Sequence, residues 1–167
     1  MLKNVNEELN RFAKYVISQS RANLTRGKKN SSRALYDSLD SNVKVSKNSF
    51  ELSFLMEDYG IFQDKGVSGV KKKYNTKFAY TNKMPPPSKM DKWIVKKGIA
   101  PRDKNGKFIS RKSLQFMIAR SIFNNGIKPS LFFTKPFEKA FKNIDKDLVK
   151  AYKLDIETLM QNSINNK

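Results

Sequence analysis

The alternating segment at residues 50–56 constrains the fold of this chain more than any other feature. Apolar residues occupy every second position in it: Phe50, Leu52, Phe54 and Met56. Because successive side chains of a β-strand point to opposite faces, this spacing predicts a strand with one apolar face. Val43 and Val45 alternate with polar residues in the same way, and Lys47-Asn48 predicts a tight turn between the two segments. We therefore expect a half-buried antiparallel hairpin whose apolar face must be covered.

The N-terminal segment is the obvious cover for this hairpin. Its apolar residues are spaced by four, three and four positions, as on one face of a helix: Val5, Leu9, Phe12 and Val16. The pattern predicts an amphipathic helix that ends at about Leu24. A small antiparallel sheet packed against helices is an α+β fold. We find no internal repeat and no domain boundary, so we expect a single domain over residues 1–167.

Two short helices are predicted on either side of the hairpin. Ser31 or Ser32 can cap the first, which holds Leu35 and Leu39. The second covers residues 57–65. Its expected features are two inward aromatic residues and a terminal glycine in the left-handed conformation: Tyr59, Phe62 and Gly66.

The C-terminal third predicts two longer helices with a short strand between them. The first begins at about Ser110, ends at Gly126, and has one apolar face: Leu114, Met117, Ile118, Ser121 and Ile122. Leu131-Phe132-Phe133 predicts a strand that joins the sheet. The last helix carries Pro136 in its first turn and a long apolar stripe: Phe137, Phe141, Ile144, Leu148, Tyr152, Ile156 and Leu159. This helix is longer than average, and we expect its end, residues 150–167, to project toward a neighbour.

Charge sets this chain apart in composition. Thirty-four Lys and Arg residues against fifteen Asp and Glu give a formal net charge of +19. Such a field favours anionic partners, which include nucleic acid, an anionic membrane surface and an acidic protein patch. The coding bias of an AT-rich genome is the alternative explanation. It explains why Lys is used rather than Arg, but not why Asp and Glu are scarce.

The absent residue types limit the chemistry. The chain has no Cys and no His, which excludes disulfides and thiolate metal sites and removes the commonest general base. The clustered acids Glu51, Glu57, Asp58 and Asp64 lack a nuclease spacing, and solvated surface charges explain them more simply. We therefore expect a non-enzyme without cofactor or metal. No signal peptide or membrane span is predicted, so we expect a soluble protein made in a cytoplasm.

Residues 67–89 form an extended basic and Pro-rich loop that suits neither a helix nor a regular sheet. Its candidate contact residues alternate positive charge with aromatic rings: Lys71, Lys72, Lys73, Tyr74, Lys77, Phe78 and Tyr80. Lysines can follow a phosphate backbone while rings stack on bases or on a partner surface. Alternatively, the rings pack on the parent domain or on a neighbouring subunit. Loops of this length are usually functional or disordered.

A short Trp-containing helix follows the loop. Pro85-Pro86-Pro87 predicts a stiff extended segment, after which Ser88 caps the helix and Gly98 ends it. Trp93 and Ile94 are its expected inward residues. We favour Trp93 as a core anchor and keep it as a candidate residue for a subunit interface or for DNA.

Four segments follow one another in a characteristic order. They are Leu35-Tyr36-Asp37-Ser38-Leu39, Tyr59-Gly60-Ile61-Phe62-Gln63-Asp64-Lys65-Gly66, the Trp93 helix, and Gly126-Ile127-Lys128-Pro129-Ser130-Leu131-Phe132-Phe133. In this order they resemble the tail-completion and head–tail joining proteins of tailed bacteriophages. That family has a Leu-x-x-Ser-(Ile/Leu) step into a sheet, then a Tyr-(Ala/Gly)-x-(Tyr/Phe)-x-(Glu/Asp)-x-Gly signature. A Trp-containing helix and a Gly-Ile-x-Pro step before a Phe pair complete the pattern.

The similarity covers most of residues 5–150. The chain departs from the family pattern in its 67–89 loop and in its long last helix. It implies a virion protein, assembled in the host cytoplasm, whose copies form a ring in the neck or tail around the DNA channel. Portal, neck and other tail proteins are the implied partners. The alternative is a sequence-tolerant DNA-binding protein. A metal-dependent nuclease acting through Glu51 or Asp58 is a third and weaker hypothesis.

Overall fold

The computed structural model describes residues 2–46 and 49–165. Within them the chain forms a two-stranded antiparallel sheet, six α-helices and one 3₁₀ helix at Pro87–Met90, which confirms the predicted α+β class. The helices are α1 (Lys3–Arg26), α2 (Ala34–Asp37), α3 (Gly60–Lys65), α4 (Asp91–Lys97), α5 (Arg111–Asn125) and α6 (Thr134–Asn165), and the strands are β1 (Asp40–Val45) and β2 (Phe50–Leu55).

The chain divides into two compact units. Unit 1 contains Met1–Glu57 and Phe132–Lys167, and unit 2 contains the intervening segment Asp58–Leu131. No boundary between two such units was predicted from the sequence. Two compact units can still fold as one cooperative domain, so the single domain stays a prediction.

Helix α1 buries the stripe that its sequence predicts. The four predicted residues are all buried: Val5, Leu9, Phe12 and Val16. Ala151 of α6 shares a cluster with the first two, and Ile144 shares a cluster with the last two, so α1 and α6 pack antiparallel. Each fully buried Val, Leu or Phe contributes about 1.5–3 kcal/mol, so this helix pair is the core of unit 1.

The hairpin forms, and β1 alternates in burial as predicted, whereas in β2 Ser53 is half-buried like Leu52 and Phe54. Val43 lies opposite Leu52 and Ser41 lies opposite Phe54. Leu52 and Phe54 are half-buried against clusters that contain residues of both α1 and α6, so two helices cover the sheet where we expected one. Phe50 is half exposed, so the apolar face is open at that end.

At the hairpin end the Ser46 N–H donates to the Ser49 carbonyl at 2.7 Å. The predicted Lys47-Asn48 turn lies outside the described residues.

Helix α2 is shorter than its signals suggested, and the predicted serine caps are wrong. The position before the helix is Arg33, which adopts a left-handed conformation (φ 60°) and makes no side-chain capping bond. Its guanidinium lies 4.9 Å from the centre of the Tyr36 ring. Leu35 and Leu39 are buried as expected, although Leu39 follows the helix.

The predicted strand at residues 131–133 is wrong. Leu131 has a φ of 51°, which no strand adopts, and the segment forms a turn before α6. The turn places Phe132, only 1% exposed, in a cluster with Leu24, Leu35 and Leu39. Pro136 lies in the first turn of α6 as predicted. Proline is tolerated there because the first-turn amides have no partner within the helix.

The buried stripe of α6 departs from the predicted one after Leu148. Ile144 is buried, but the next buried residues are Ala151 and Asp155. The larger side chains that we assigned to this face are substantially exposed: Phe141, Tyr152, Ile156 and Leu159. The prediction followed side-chain size, whereas close packing of α1 on α6 needs the small Ala151.

Asp155 fixes the start of α1. Its carboxylate accepts the Asn4 N–H at 2.9 Å, the Asn4 side-chain amide at 2.8 Å and the Val5 N–H at 3.0 Å. These first-turn N–H groups have no partners within α1. Burial alone raises the pKa of the Asp155 carboxyl, and the hydrogen bonds outweigh it, so this pKa lies below its usual value. Residues 156–165 of α6 continue beyond this contact, a rise of about 15 Å.

In unit 2, α3 turns its aromatic residues outward. Tyr59 and Phe62 are exposed, and the buried residues are Gly60 and Asp64, so the predicted inward face is wrong. Gly66 has the expected positive φ of 75°, but its ψ of 175° is extended rather than left-handed helical.

Helix α5 begins and ends as predicted. The Ser110 side chain accepts the Ser113 N–H at 3.1 Å, and Gly126 follows the last turn with a φ of 71°. The buried face is rotated from the predicted one, because Met117 is exposed and Ala119 is fully buried.

Candidate functional site

Two of the motifs that carry the resemblance meet in unit 2. Val67 and Ile127 exchange backbone hydrogen bonds of 2.9 and 2.8 Å. The Asp64 carbonyl, near the end of the Tyr59–Gly66 motif, accepts the N–H groups of Ser130 and Leu131 at 3.1 and 3.0 Å. The two motifs therefore form one joint at the base of the 67–89 loop.

Glycines make this joint possible. A Cβ atom on Gly126 would lie 2.1 Å from the Val67 carbonyl oxygen, and one on Gly69 would lie 2.2 Å from the Asn124 carbonyl oxygen. Gly126 also needs its positive φ of 71°, which side chains other than glycine rarely allow. The close approach explains why glycine occupies these positions.

The first half of the loop is bonded to the end of α5. Val70 donates its N–H to the Phe123 carbonyl at 2.9 Å, and Lys71 and Lys72 donate theirs to the Asn124 carbonyl at 2.9 and 3.1 Å. The last carbonyls of a helix have no partners within it, so the loop satisfies them. As a result, these three loop N–H groups are not free to bind an anion.

Ser68 holds the two sides of the loop together. Its Oγ accepts the Tyr74 N–H at 2.9 Å, and its backbone bonds to Phe78 and Tyr80 at 2.8 Å each. The predicted loop residues 71–80 are therefore brought together in one short, bonded segment. Trp93 lies apart from them in sequence, on α4.

The lysines of the loop point outward. Lys71, Lys72, Lys73 and Lys77 are all exposed. Lys72 Nζ lies 5.7 Å from the centre of the Tyr74 ring, and Lys77 Nζ lies 5.3 Å from that of Phe78. The loop therefore presents four positive charges on flexible stems, which suit a phosphate backbone better than the edge of a base.

The aromatic rings of the loop are partly used within unit 2. Phe78 packs edge-on against Phe62 with 4.8 Å between ring centres, and Tyr80 lies 6.3 Å from Phe123. Both are half-buried, and burial raises the pKa of the Tyr80 hydroxyl. This leaves less ring surface for stacking on bases than the sequence suggested.

Trp93 is not a core anchor. It is 42% exposed, whereas the adjacent Ile94 is buried. Trp93 and Ile94 lie about 100° apart around the axis of α4, and only Ile94 is on its buried side. The predicted Ser88 cap is also wrong, because Ser88 lies within the 3₁₀ helix. Gly98 ends α4 in the left-handed conformation as predicted, at φ 61° and ψ 32°.

Unit 1 carries a second candidate surface, most of it within residues 150–167, which were predicted to project toward a neighbour. The outer face of α6 shows five apolar residues at helical spacing, all more than a third exposed: Val149, Tyr152, Ile156, Met160 and Ile164. We call this set the α6 outer stripe. Beside its first turns lies an open groove of about 630 Å³, lined by Phe50, Leu148, Val149 and Tyr152 among others. Tyr152 and Ile156 belong to the predicted stripe of α6, whereas Val149 and Met160 each lie one position after a residue of it.

Among residues 2–46 and 49–165, no group of three or more acidic side chains is placed to hold a metal ion. No helix within the same ranges has the length and apolarity needed to cross a membrane. Comparison of the chain with protein-family models, with curated proteins and with solved structures gave no match.

Proposed function

We propose that this chain is a structural subunit of a tailed-phage virion, and that its copies form a ring in the neck or tail around the DNA channel. The observation that carries the proposal is the α6 outer stripe, an exposed apolar face on a chain of formal charge +19. Contiguous apolar surface on an otherwise charged protein marks a protein–protein contact. Repeated contacts between unlike surfaces close into a ring when the rotation permits.

The motifs of the resemblance support the same proposal because three of the four form structural contacts. Leu35 and Leu39 pack with Phe132 in unit 1, which joins the first motif to the last. In unit 2 the Tyr59–Gly66 motif bonds to the Gly126 motif through the Val67–Ile127 pair. A protein whose motif residues form packing contacts and backbone hydrogen bonds, rather than a reactive centre, is suited to assembly.

The lysine loop of unit 2 fits the lining of a DNA channel. Its charges lie on long side chains, and three of its backbone N–H groups are already bonded to α5. Such a loop attracts phosphates without reading bases, so DNA can move past it. Portal, neck and other tail proteins are the proposed partners, in the virion, with assembly in the host cytoplasm.

Electron microscopy of the purified protein tests the proposal. We expect closed rings, alone or after mixing with portal and tail proteins, and co-purification with those proteins from virion lysate. A strictly monomeric species at high concentration, with the natural partners present, would contradict it.

The exposed Lys71–Lys73 run also favours the alternative function, a sequence-tolerant DNA-binding protein. This alternative predicts that log affinity falls linearly with log salt, with a slope of about −0.9 per phosphate neutralised. Changing all three lysines to Ala should reduce that slope by about 2–3. The matched control changes Lys92, Lys96 and Lys97 of α4, which are also exposed, and should leave the slope nearly unchanged. Absence of binding at low salt would remove the alternative.

A further inference from the structure

The groove beside α6 differs in charge from the rest of this chain. Phe50 and Tyr152 on its walls are each 50% exposed, and Val149 is 70% exposed. Among the described residues that line it, Asp145 is the one with a charged side chain, although the chain contains 34 Lys and Arg residues. Two copies that each carry +19 repel one another over most of their surfaces, so this groove is a place where a second copy can approach.

The end of α6 has matching properties. Residues 158–166 contain no charged side chain, in a chain of which 29% is charged. Met160 and Ile164, one turn apart on the outer stripe, are 63% and 73% exposed, and Leu159 is 50% exposed. We call residues 158–165 the α6 end. It is the amphipathic last segment of α6, and its apolar side chains are exposed.

The α6 end cannot occupy its own groove. The groove residues Leu148, Val149 and Tyr152 lie on the same continuous helix as Ile164. From Tyr152 to Ile164 a helix rises about 18 Å, and a continuous helix cannot fold back on itself. Any α6 end that enters the groove therefore comes from another molecule.

We propose that the α6 end of one copy occupies the apolar groove of a second copy. An amphipathic helix that lays its apolar side chains into an apolar groove is a common mode of protein recognition. Here the α6 end and the groove occur in one molecule, and no Lys or Arg is found in the α6 end or among the described residues that line the groove. Docking covers Met160 and Ile164 of one copy together with Phe50 and Tyr152 of the other. This inference rests on the proposed function in one respect, since it names the contact through which the ring would form.

Disulfide trapping tests this contact directly, because the chain has no cysteine of its own. Ser49→Cys places a thiol at the groove, and Ile164→Cys places one on the α6 end. The two variants, one carrying a size tag, are mixed and oxidised. We expect a disulfide-linked heterodimer at least tenfold more abundant than with Asn162→Cys, which points about 160° away from Ile164 around the helix. Equal trapping with Ile164→Cys and Asn162→Cys would overturn the inference.

An independent measurement avoids cysteines. Met160→Glu puts a charge on the α6 end at an exposed position, so the fold is expected to survive. The dissociation constant for self-association, measured by sedimentation, should rise at least tenfold. Gln161→Glu makes a matched change of charge and should leave it within about twofold. Equal effects of the two variants would also overturn the inference.

The double variant Ser49→Cys/Ile164→Cys separates this inference from the proposed function. A covalent ladder that extends to the ring size supports both. A ladder that stops at the dimer supports the docking of the α6 end, through a reciprocal pair, and contradicts a ring closed by this contact. Rings seen by electron microscopy without any trapped product overturn the docking and leave the proposed function standing.

Discussion

In unit 1 close packing is between side chains, whereas in unit 2 it is between backbone segments. All three clusters of buried apolar side chains found among the described residues lie in unit 1, where they join α1 to α2, to α6 and to the hairpin. In unit 2 the closest approaches are at Gly69 and Gly126, where carbonyl oxygens occupy the space of a side chain. The two units should therefore fail for different reasons. Unit 1 is sensitive to lost volume, and unit 2 to an added atom.

The largest effect is expected in unit 1. Phe132→Ala removes a ring that is 1% exposed and packs with Leu24, Leu35 and Leu39. We expect the free energy of unfolding in urea to fall by about 4 kcal/mol, because the site cannot close around the cavity. Phe141→Ala is the matched control on a ring that is 53% exposed, and it should cost about 1 kcal/mol or less. Similar losses for the two variants would contradict the claim that unit 1 is sensitive to volume lost from its core.

In unit 2 the critical change adds one methyl group. Gly126→Ala places a Cβ against the Val67 carbonyl at a φ of 71°, so it combines a clash with backbone strain. We expect a loss of about 3 kcal/mol, with faster hydrogen exchange at the Val67 and Ile127 amides. Gly98→Ala meets the same kind of strain at φ 61°, but with open space around the Cβ, so its loss should be about 1 kcal/mol. Equal losses would show that strain, and not close approach, makes glycine necessary at 126.

The two units also differ in what their sequences predict. In unit 1 the stripe of α1 and the alternation of β2 follow directly from apolar spacing, because burial there depends on which face each residue occupies. The prediction was wrong at Tyr152. This residue was assigned to the buried face because its side chain is large, whereas the smaller Ala151 is buried there. In unit 2 the inward face of α3 was wrong, since a joint held by backbone bonds does not need Tyr59 or Phe62 in a core.

The two candidate surfaces, the lysines of the loop and the α6 outer stripe, were also predicted only in part. The exposed lysines of the loop follow from its composition. The bonds that fold the loop onto α5 do not, because they depend on carbonyls that are left free only once α5 ends at Asn125. Which apolar side chains of α6 would be exposed was equally hidden. Apolar residues on two neighbouring faces of one helix predict burial on either face, and only the packing of α1 decides between them.

A third prediction concerns the one buried carboxylate that joins two elements of unit 1. Asp155→Asn weakens the bonds to the Asn4 and Val5 amides, and we expect it to lower the free energy of unfolding by about 2 kcal/mol at pH 7. Because the folded pKa of Asp155 is depressed, its stabilisation is complete above the unfolded pKa of about 3.9. It is lost as the pH falls through the lower folded pKa.

The difference between native protein and Asp155→Asn should therefore be constant from pH 7 to about pH 5 and shrink below about pH 4. Urea unfolding of both proteins across that range measures it. Glu157→Gln, on an exposed ion pair with Lys153, serves as the control and should change stability by less than about 1 kcal/mol. A difference that grows as the pH falls would contradict the assigned role of Asp155.

The smallest expected effect concerns Ser110 and Ser88, two serines that the same sequence pattern predicted as helix caps. Ser110 accepts the Ser113 N–H at 3.1 Å at the start of α5, whereas Ser88 lies inside a 3₁₀ helix and makes no capping bond. Ser110→Ala should therefore lower the free energy of unfolding by about 1 kcal/mol, and Ser110→Asp should restore most of it. Ser88→Ala should leave stability unchanged within about 0.5 kcal/mol, as for most exposed substitutions. If the two alanine variants lose equal stability, a local cap does not distinguish these helices, and the short elements of unit 2 depend on their neighbours rather than on their own ends.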